Sequence, residues 1–129
     1  MRVLLDTHLL IWLRAASDRL PKTVHQTIKN SDNQLFFSAA SIWELSIKES
    51  TGKARLELPS KLLHRQLLEN DFQEVPVTAT HGLGVLLLPP IHKDPFDRIL
   101  IAQAIAEDMV LMTSDETIAQ YEGPIQLVR

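Results

Sequence analysis

Two aspartates three positions apart open the segment IHKDPFDRILIAQA, residues 91–104, and three further carboxylates stand at comparable junctions elsewhere in the chain. Asp94 followed by Pro95 reads as the cap and first position of a helix. Asp97 then falls at the third position, where an acid suits the positive end of the helix dipole. Capping accounts for Asp94 fully and for Asp97 less well, because the reciprocal cap prefers the longer Glu or Gln. Asp6 follows the apolar run RVLL and can cap a helix beginning near His8. Glu44, in SIWE, forms a capping box with Ser41, and Asp115, after VLMTS, can cap ETIAQY. Each carboxylate therefore has a local use. Together, Asp6, Glu44, Asp97 and Asp115 have another. Like charges a few ångströms apart in a partly buried crevice cannot all stay ionised without compensation. Carboxylate oxygens are hard ligands suited to Mg²⁺ or Mn²⁺. If the four converge, the chemistry they offer is that of a divalent metal centre.

Convergence needs a scaffold, and the remaining sequence supplies one. Short apolar runs at 2–5, 34–37, 74–77, 109–113 and 125–128 are rich in Val, Ile, Leu and Phe and do not alternate strictly, as expected of strands buried on both faces. Between them lie helical patterns at 8–16, 21–30, 41–50, 60–70, 78–87, 96–107 and 116–121. Strands separated by helices imply crossover units and a mainly parallel sheet of about five strands, in a three-layer α/β/α sandwich. Gly52 marks a helix stop and Pro59-Ser60 a restart, so 41–50 and 60–70 read as a helical hairpin outside the regular alternation. LLLPPIHKDP, 86–95, holds three prolines and reads as a stiff extended loop.

In a parallel sheet ligands bind outside the carboxyl ends of the strands. Asp6, Glu44 and Asp115 all fall on that edge. Asp97 begins the helix leading into the fourth strand, and its placement at the opposite edge is the expectation unless the Pro-rich loop carries it back.

The 129 residues suit one domain, 1–129, and 45 % hydrophobic composition fits a packed globule. No apolar run reaches the ~18–20 residues of a membrane span. MRVLLDTH runs directly into a strand, so no signal peptide is expected, and the absence of cysteine excludes disulfides, thiolate zinc sites and a cysteine nucleophile. A cytoplasmic protein is the expectation. The 13 Lys and Arg against 16 Asp and Glu give a net charge of −3, with no basic excess to hold a polyanion. A polyanionic substrate would need metal to neutralise the acids near it.

Four blocks of this chain, LLDTHLLIW, SAASIWELSIKESTGK, HKDPFDRILIAQA and LMTSDETI, resemble the PIN-domain ribonucleases, and within them the VapC-like toxins of type II toxin–antitoxin systems. The resemblance spans essentially the whole chain. It matches Asp6, Glu44, Asp97 and Asp115 to the family's four acids, with Asp97 18 residues before Asp115. It implies Mg²⁺- or Mn²⁺-dependent hydrolysis of RNA, with Asp6 and Asp97 as the principal ligands. Glu44 and Asp115 would bind a second ion or hold its waters, and two-metal sites keep their ions about 3.5–4 Å apart. A homodimer or a small antitoxin is implied as partner, using the helical hairpin with Trp43, Ile47 and SKLLHRQLLEN. Asp94 could share part of the role of Asp97.

Around the acids, Thr7, Thr113 and Ser114 could orient carboxylates or serve as turn residues. Arg98 and then Lys48 are the candidates for substrate phosphate, against salt bridges as the alternative, and Lys53 is a weaker one. A four-acid oxygen site needs no imidazole, so neither His8 nor His92 is assigned as a ligand. Trp12, Trp43 and Phe96 read as core or interface aromatics. A phosphoaspartyl phosphatase would want a second Asp at position 8, which is His8. A receiver domain would want paired acids after the first strand. A catalytically inactive PIN-like nucleic-acid-binding or protein-interaction module is the alternative that remains.

Overall fold

The computed structural model describes residues 1–52 and 59–129, so Lys53 lies outside the described residues. Five strands, β1 (Arg2–Leu5), β2 (Gln34–Ser38), β3 (Gln73–Val75), β4 (Val110–Thr113) and β5 (Ile125–Leu127), pair in parallel in the order β3-β2-β1-β4-β5. Central β1 is buried on both faces. Val3 and Leu5 point one way into a core with Phe37 and Met112, whereas Leu4 points the other way, toward Leu100, Ile101 and Leu111. Period-2 alternation is hidden in the sequence because both faces are apolar.

Helices α1 (Thr7–Arg14), α2 (Lys22–Lys29), α3 (Ala39–Ser50) and α4 (Ser60–Glu69) cover the first face through Leu9, Leu10, Val24, Leu45, Leu63 and Leu67. The second is covered by α6 (Pro95–Ala106), with α5 (Ala79–Gly84) beside it. The three-layer α/β/α sandwich is therefore observed. Gly52, at φ +66°, takes the left-handed conformation that stops α3 as expected. β3 ends at Val75, because Pro76 has no N–H to continue the ladder. The stretch 78–87 divides into α5 and a 3₁₀ turn, Val85–Leu87, and 116–121 reduces to a 3₁₀ turn, Ile118–Gln120.

Two expectations are corrected. α3 begins two residues before Ser41, at Ala39, and is capped by Ser38, whose Oγ accepts from the Ala40 N–H at 3.0 Å. Ser41 and Glu44 thus form no capping box: Ser41 lies inside the helix and accepts from the Thr7 hydroxyl at 2.8 Å. Asp97, for its part, sits at the carboxyl edge. A helix feeding a parallel strand runs antiparallel to it, so the end of α6 lies near the start of β4 and its beginning near the opposite end of the strands. No unusual loop excursion is needed.

The strand order sets the functional geometry. The chain leaves β1 for β2 on one side and returns as β4 on the other, making the carboxyl end of β1 the switch point where parallel sheets open a crevice.

Candidate functional site

Asp6 lies at that switch point, 2 % exposed. Its backbone N–H still donates to the carbonyl of Met112, while one carboxylate oxygen caps α1 by accepting from the Leu9 N–H at 2.9 Å. The other accepts from the Thr113 hydroxyl at the end of β4. That hydroxyl also accepts from the Asp115 N–H at 3.0 Å, so Thr113 ties the first acid to the last. Asp115 caps the following turn with Oδ1, accepting from the Thr117 N–H at 2.7 Å, and turns Oδ2 toward the crevice.

Glu44 projects inward from α3 and is 6 % exposed. Its Oε2 receives the Lys48 ammonium at 3.0 Å, one turn on, whereas its buried Oε1 has no hydrogen-bond partner. The alternative weighed for Lys48, a salt bridge to a neighbouring acid, is present.

Asp94 and Asp97 divide the work that their spacing suggested. Asp94 is the N-cap of α6, its Oδ1 accepting from the Phe96 N–H at 2.8 Å and the Asp97 N–H at 3.4 Å, with Pro95 at the first helical position. Asp97 caps nothing. Burial, then the charge of Asp94, push its carboxyl up to about 6 against the lowering effect of His92, with Glu44 and Asp115 adding to the rise. Burial likewise raises Asp6, overcoming its hydrogen bonds from Thr113 and Leu9, and Asp115 adds to that rise. Asp97 is therefore in electrostatic reach of Glu44 and Asp115, and Asp6 of Asp115.

His92 is the residue that sequence reasoning left out. Its Nε2 stands 2.8 Å from Asp97 Oδ2 and 3.6 Å from Asp115 Oδ2, and these three atoms form a group within 4.8 Å. Nδ1 accepts from the Asp94 N–H at 3.3 Å, so a neutral ring carries its proton on Nε2, facing the crevice. That N–H is not aligned on either carboxylate, and Nε2 is buried without a hydrogen-bond partner. The available signal was the stiff spacing HKDP, which leaves His92 little freedom to point away from the helix start.

Arg98 is corrected. Its Nη1 donates to the Pro89 carbonyl at 2.9 Å and the Tyr121 hydroxyl at 3.0 Å, and Nη2 to the carbonyls of Val85 at 3.1 Å and Leu88 at 3.4 Å. Both terminal nitrogens of the fork are thus engaged in clamping the Pro-rich loop and Tyr121. Tyr121 in turn accepts from the His92 N–H at 2.8 Å, extending the clamp to the residue between the acids. Arg98→Ala should lower stability by about 2 kcal/mol in chemical denaturation. Arg98→Lys should recover little, since one ammonium cannot span carbonyls on both sides of a planar fork.

Of the flanking hydroxyls, Thr113 orients a carboxylate, whereas Thr7 joins α1 to α3 through Ser41. The donor set suits a divalent cation. It consists of hard carboxylate oxygens, one of them orphaned and buried on Glu44, around an Asp97 that gives up its proton reluctantly while no cation compensates it.

A parallel α/β/α sandwich with an acid-lined crevice at its switch point defines a class, and the chain's own residues 3–124 match the PIN domain family model. The chain belongs to the PIN domain family. Among curated proteins it is 30 % identical over 123 residues, 95 % of this chain and 93 % of the relative, to Ribonuclease VapC22 of Mycobacterium tuberculosis. Among solved structures it resembles VapBC2 from Rickettsia felis bound to a DNA fragment from their promoter, with a TM-score of 0.73 and 15 % identity over all of both chains. It also resembles VapBC-1 from nontypeable Haemophilus influenzae, with a TM-score of 0.65 and 19 % identity over 98 % of both chains. Those two likenesses are likenesses of fold.

Proposed function

We propose that the chain, as a single PIN-like domain over 1–129, is a metal-dependent endoribonuclease acting in the cytoplasm as the toxin of a toxin–antitoxin pair. The observation that carries this reading is the convergence of Asp6, Glu44, Asp97 and Asp115 on the switch point, with the buried Glu44 Oε1 left unpartnered. RNA as substrate is supported by the similarity to a protein named as a ribonuclease along nearly the whole chain.

Asp6 and Asp97 would hold the ion directly, and Glu44 and Asp115 would complete its surroundings. When bound, Mg²⁺ or Mn²⁺ supplies Lewis acidity and neutralises charge at the phosphodiester. The chain's own residues do the positioning. Thr113 fixes the Asp6 carboxylate, and the Arg98–Tyr121 clamp fixes the loop that carries His92. The His92 Nε2–H and the Lys48 ammonium are the donors facing a phosphate that enters the crevice. The test is incubation of purified protein with labelled structured and unstructured RNAs, with Mg²⁺ or Mn²⁺ and with chelator. Internal cleavage only with metal is expected, whereas binding without cleavage would mark an inactive PIN-like module.

A protein partner belongs to the same reading, supported by relatives solved as toxin–antitoxin complexes. The α3–α4 hairpin offers less surface for it than its sequence suggested, because Leu63 and Leu67 of SKLLHRQLLEN are buried in the core. Leu83, Leu86, Leu87, Ile91 and Ile105 instead make the larger apolar face, with Leu86 and Leu87 at 81 % and 87 % exposed. Together they expose on the order of 500 Å² by side-chain size, a large share of the ~800 Å² that each member of a stable dimer buries. A second copy of the chain is the occupant this area fits. Leu86→Lys with Leu87→Lys should convert a dimer to monomer in sedimentation without lowering the melting temperature. An unchanged particle would remove the dimer from this face.

A further inference from the structure

Trp43 is 63 % exposed on α3, although the chain is only 5 % aromatic and its sequence suggests a packed side chain. Its ring meets Phe96 of α6 edge to face, with centroids 5.2 Å apart. Each aromatic immediately precedes a crevice acid, Trp43 before Glu44 and Phe96 before Asp97. The pair walls an apolar cleft of about 490 Å³, floored in part by Val77 and Pro95 and edged by Lys93. A second cleft of about 420 Å³ shares Lys93, Pro95 and Phe96 and reaches Glu44 and Lys48. The two clefts are thus neighbours, sharing Lys93, Pro95 and Phe96, and the second reaches an acid of the crevice and its lysine. Lys93 is exposed and makes no salt bridge among the described residues.

We propose that the cleft walled by Trp43 and Phe96 is a base-binding subsite, in which an unpaired nucleobase beside the cleaved phosphodiester stacks on the exposed Trp43 ring while Lys93 holds its phosphate. This rests on the ribonuclease reading and adds to it a preference for unstructured RNA. Bases stack on aromatic faces in every sequence context, but only when they are already out of a duplex. The exposed indole supplies the face, and its T-shaped contact with Phe96 favours one orientation of the ring. The cations match the phosphate rather than an apolar peptide. In a chain of net charge −3, Lys93 and Lys48 are placed where a nucleic-acid backbone must pass to reach the acids.

The test compares the full-length protein with Trp43→Ala, Trp43→Phe and Lys93→Ala. Titration of a short unstructured oligoribonucleotide at low ionic strength in chelator should quench tryptophan emission in the unaltered protein. It should leave emission unchanged in Trp43→Ala, where Trp12 alone remains. In metal, Trp43→Ala should raise KM for unstructured RNA about tenfold to a hundredfold, with kcat much less affected, and Trp43→Phe should restore most of it. Lys93→Ala should raise KM and flatten its salt dependence. Unchanged quenching and KM in Trp43→Ala would overturn the subsite while leaving the nuclease reading intact. Trp43-dependent quenching in a protein that cleaves no RNA would do the reverse. A changed oligomeric state in Trp43→Ala with unchanged KM would show the aromatic wall to be a protein interface, which also overturns the subsite.

Discussion

Asp97→Asn should abolish metal-dependent RNA cleavage, by about a thousandfold or more, while the protein folds normally. The size follows from losing one anionic ligand of a divalent ion that contributes several kcal/mol at the phosphodiester, at 1.36 kcal/mol per tenfold. Asn keeps the shape and removes the charge, so the loss cannot be assigned to misfolding. Asp6→Asn should behave alike in cleavage. Asp94→Asn should not, because Asn caps as well as Asp and the Asp94 carboxylate is already engaged by two backbone N–H groups. The same substitution at Asp97 has a stability signature. The folded-state carboxyl is raised to about 6 from 3.8, so protons bind it better in the folded chain. Below about 4 both states are protonated and the site costs nothing. As pH rises toward 6 the unfolded chain ionises first, folded stability falls, and the cost is complete above 6. Metal-free Asp97→Asn should therefore melt above the unaltered protein at pH 7, with the gap closing by about pH 4. If Asp94→Asn abolished cleavage and Asp97→Asn spared it, the two roles would be exchanged.

Mg²⁺ or Mn²⁺ should stabilise the folded protein by about 2.7 kcal/mol at a hundredfold excess over its dissociation constant. For a chain of this length that is roughly 10 °C in melting temperature, reversed by chelator. The motive force is relief of the repulsion that raises Asp97 and Asp6, together with a partner for the orphaned Glu44 Oε1. The gain should grow between pH 5.5 and pH 7.5, since the ion must displace the Asp97 proton at the lower value. Asp97→Asn should lose most of the shift, and Asp94→Asn should keep it. A melting curve indifferent to millimolar metal in the unaltered protein would mean that the acids do not form a metal centre.

The layered fold was legible because its signals are local. Apolar runs of strand length, helical periodicity, Gly52 after a helix and the Asp94-Pro95 start each act within a few residues, where steric and hydrogen-bond preferences decide. Three of the acids stand where those local signals point, Asp6 and Asp115 just past strands and Asp97 in the first turn of α6, whereas Glu44 lies in the second turn of α3. Other features lay beyond such signals. Ser38 and Ser41 are equally able caps, and only the length of β2 decided that the helix starts at the first. The placement of β1 between β2 and β4 is a matter of long-range pairing, and it brings acids from separate elements to one edge of the sheet. Arg98 beside Asp97 promised a phosphate contact in sequence. The tertiary path of residues 85–89 around it spent its donors on carbonyls instead. Trp43 and Phe96, 53 positions apart, became one aromatic wall only when α3 and α6 met at the carboxyl edge of the sheet. What a residue can do is set by its own chemistry; which of its atoms are left free to do it is set by neighbours that arrive from elsewhere in the chain.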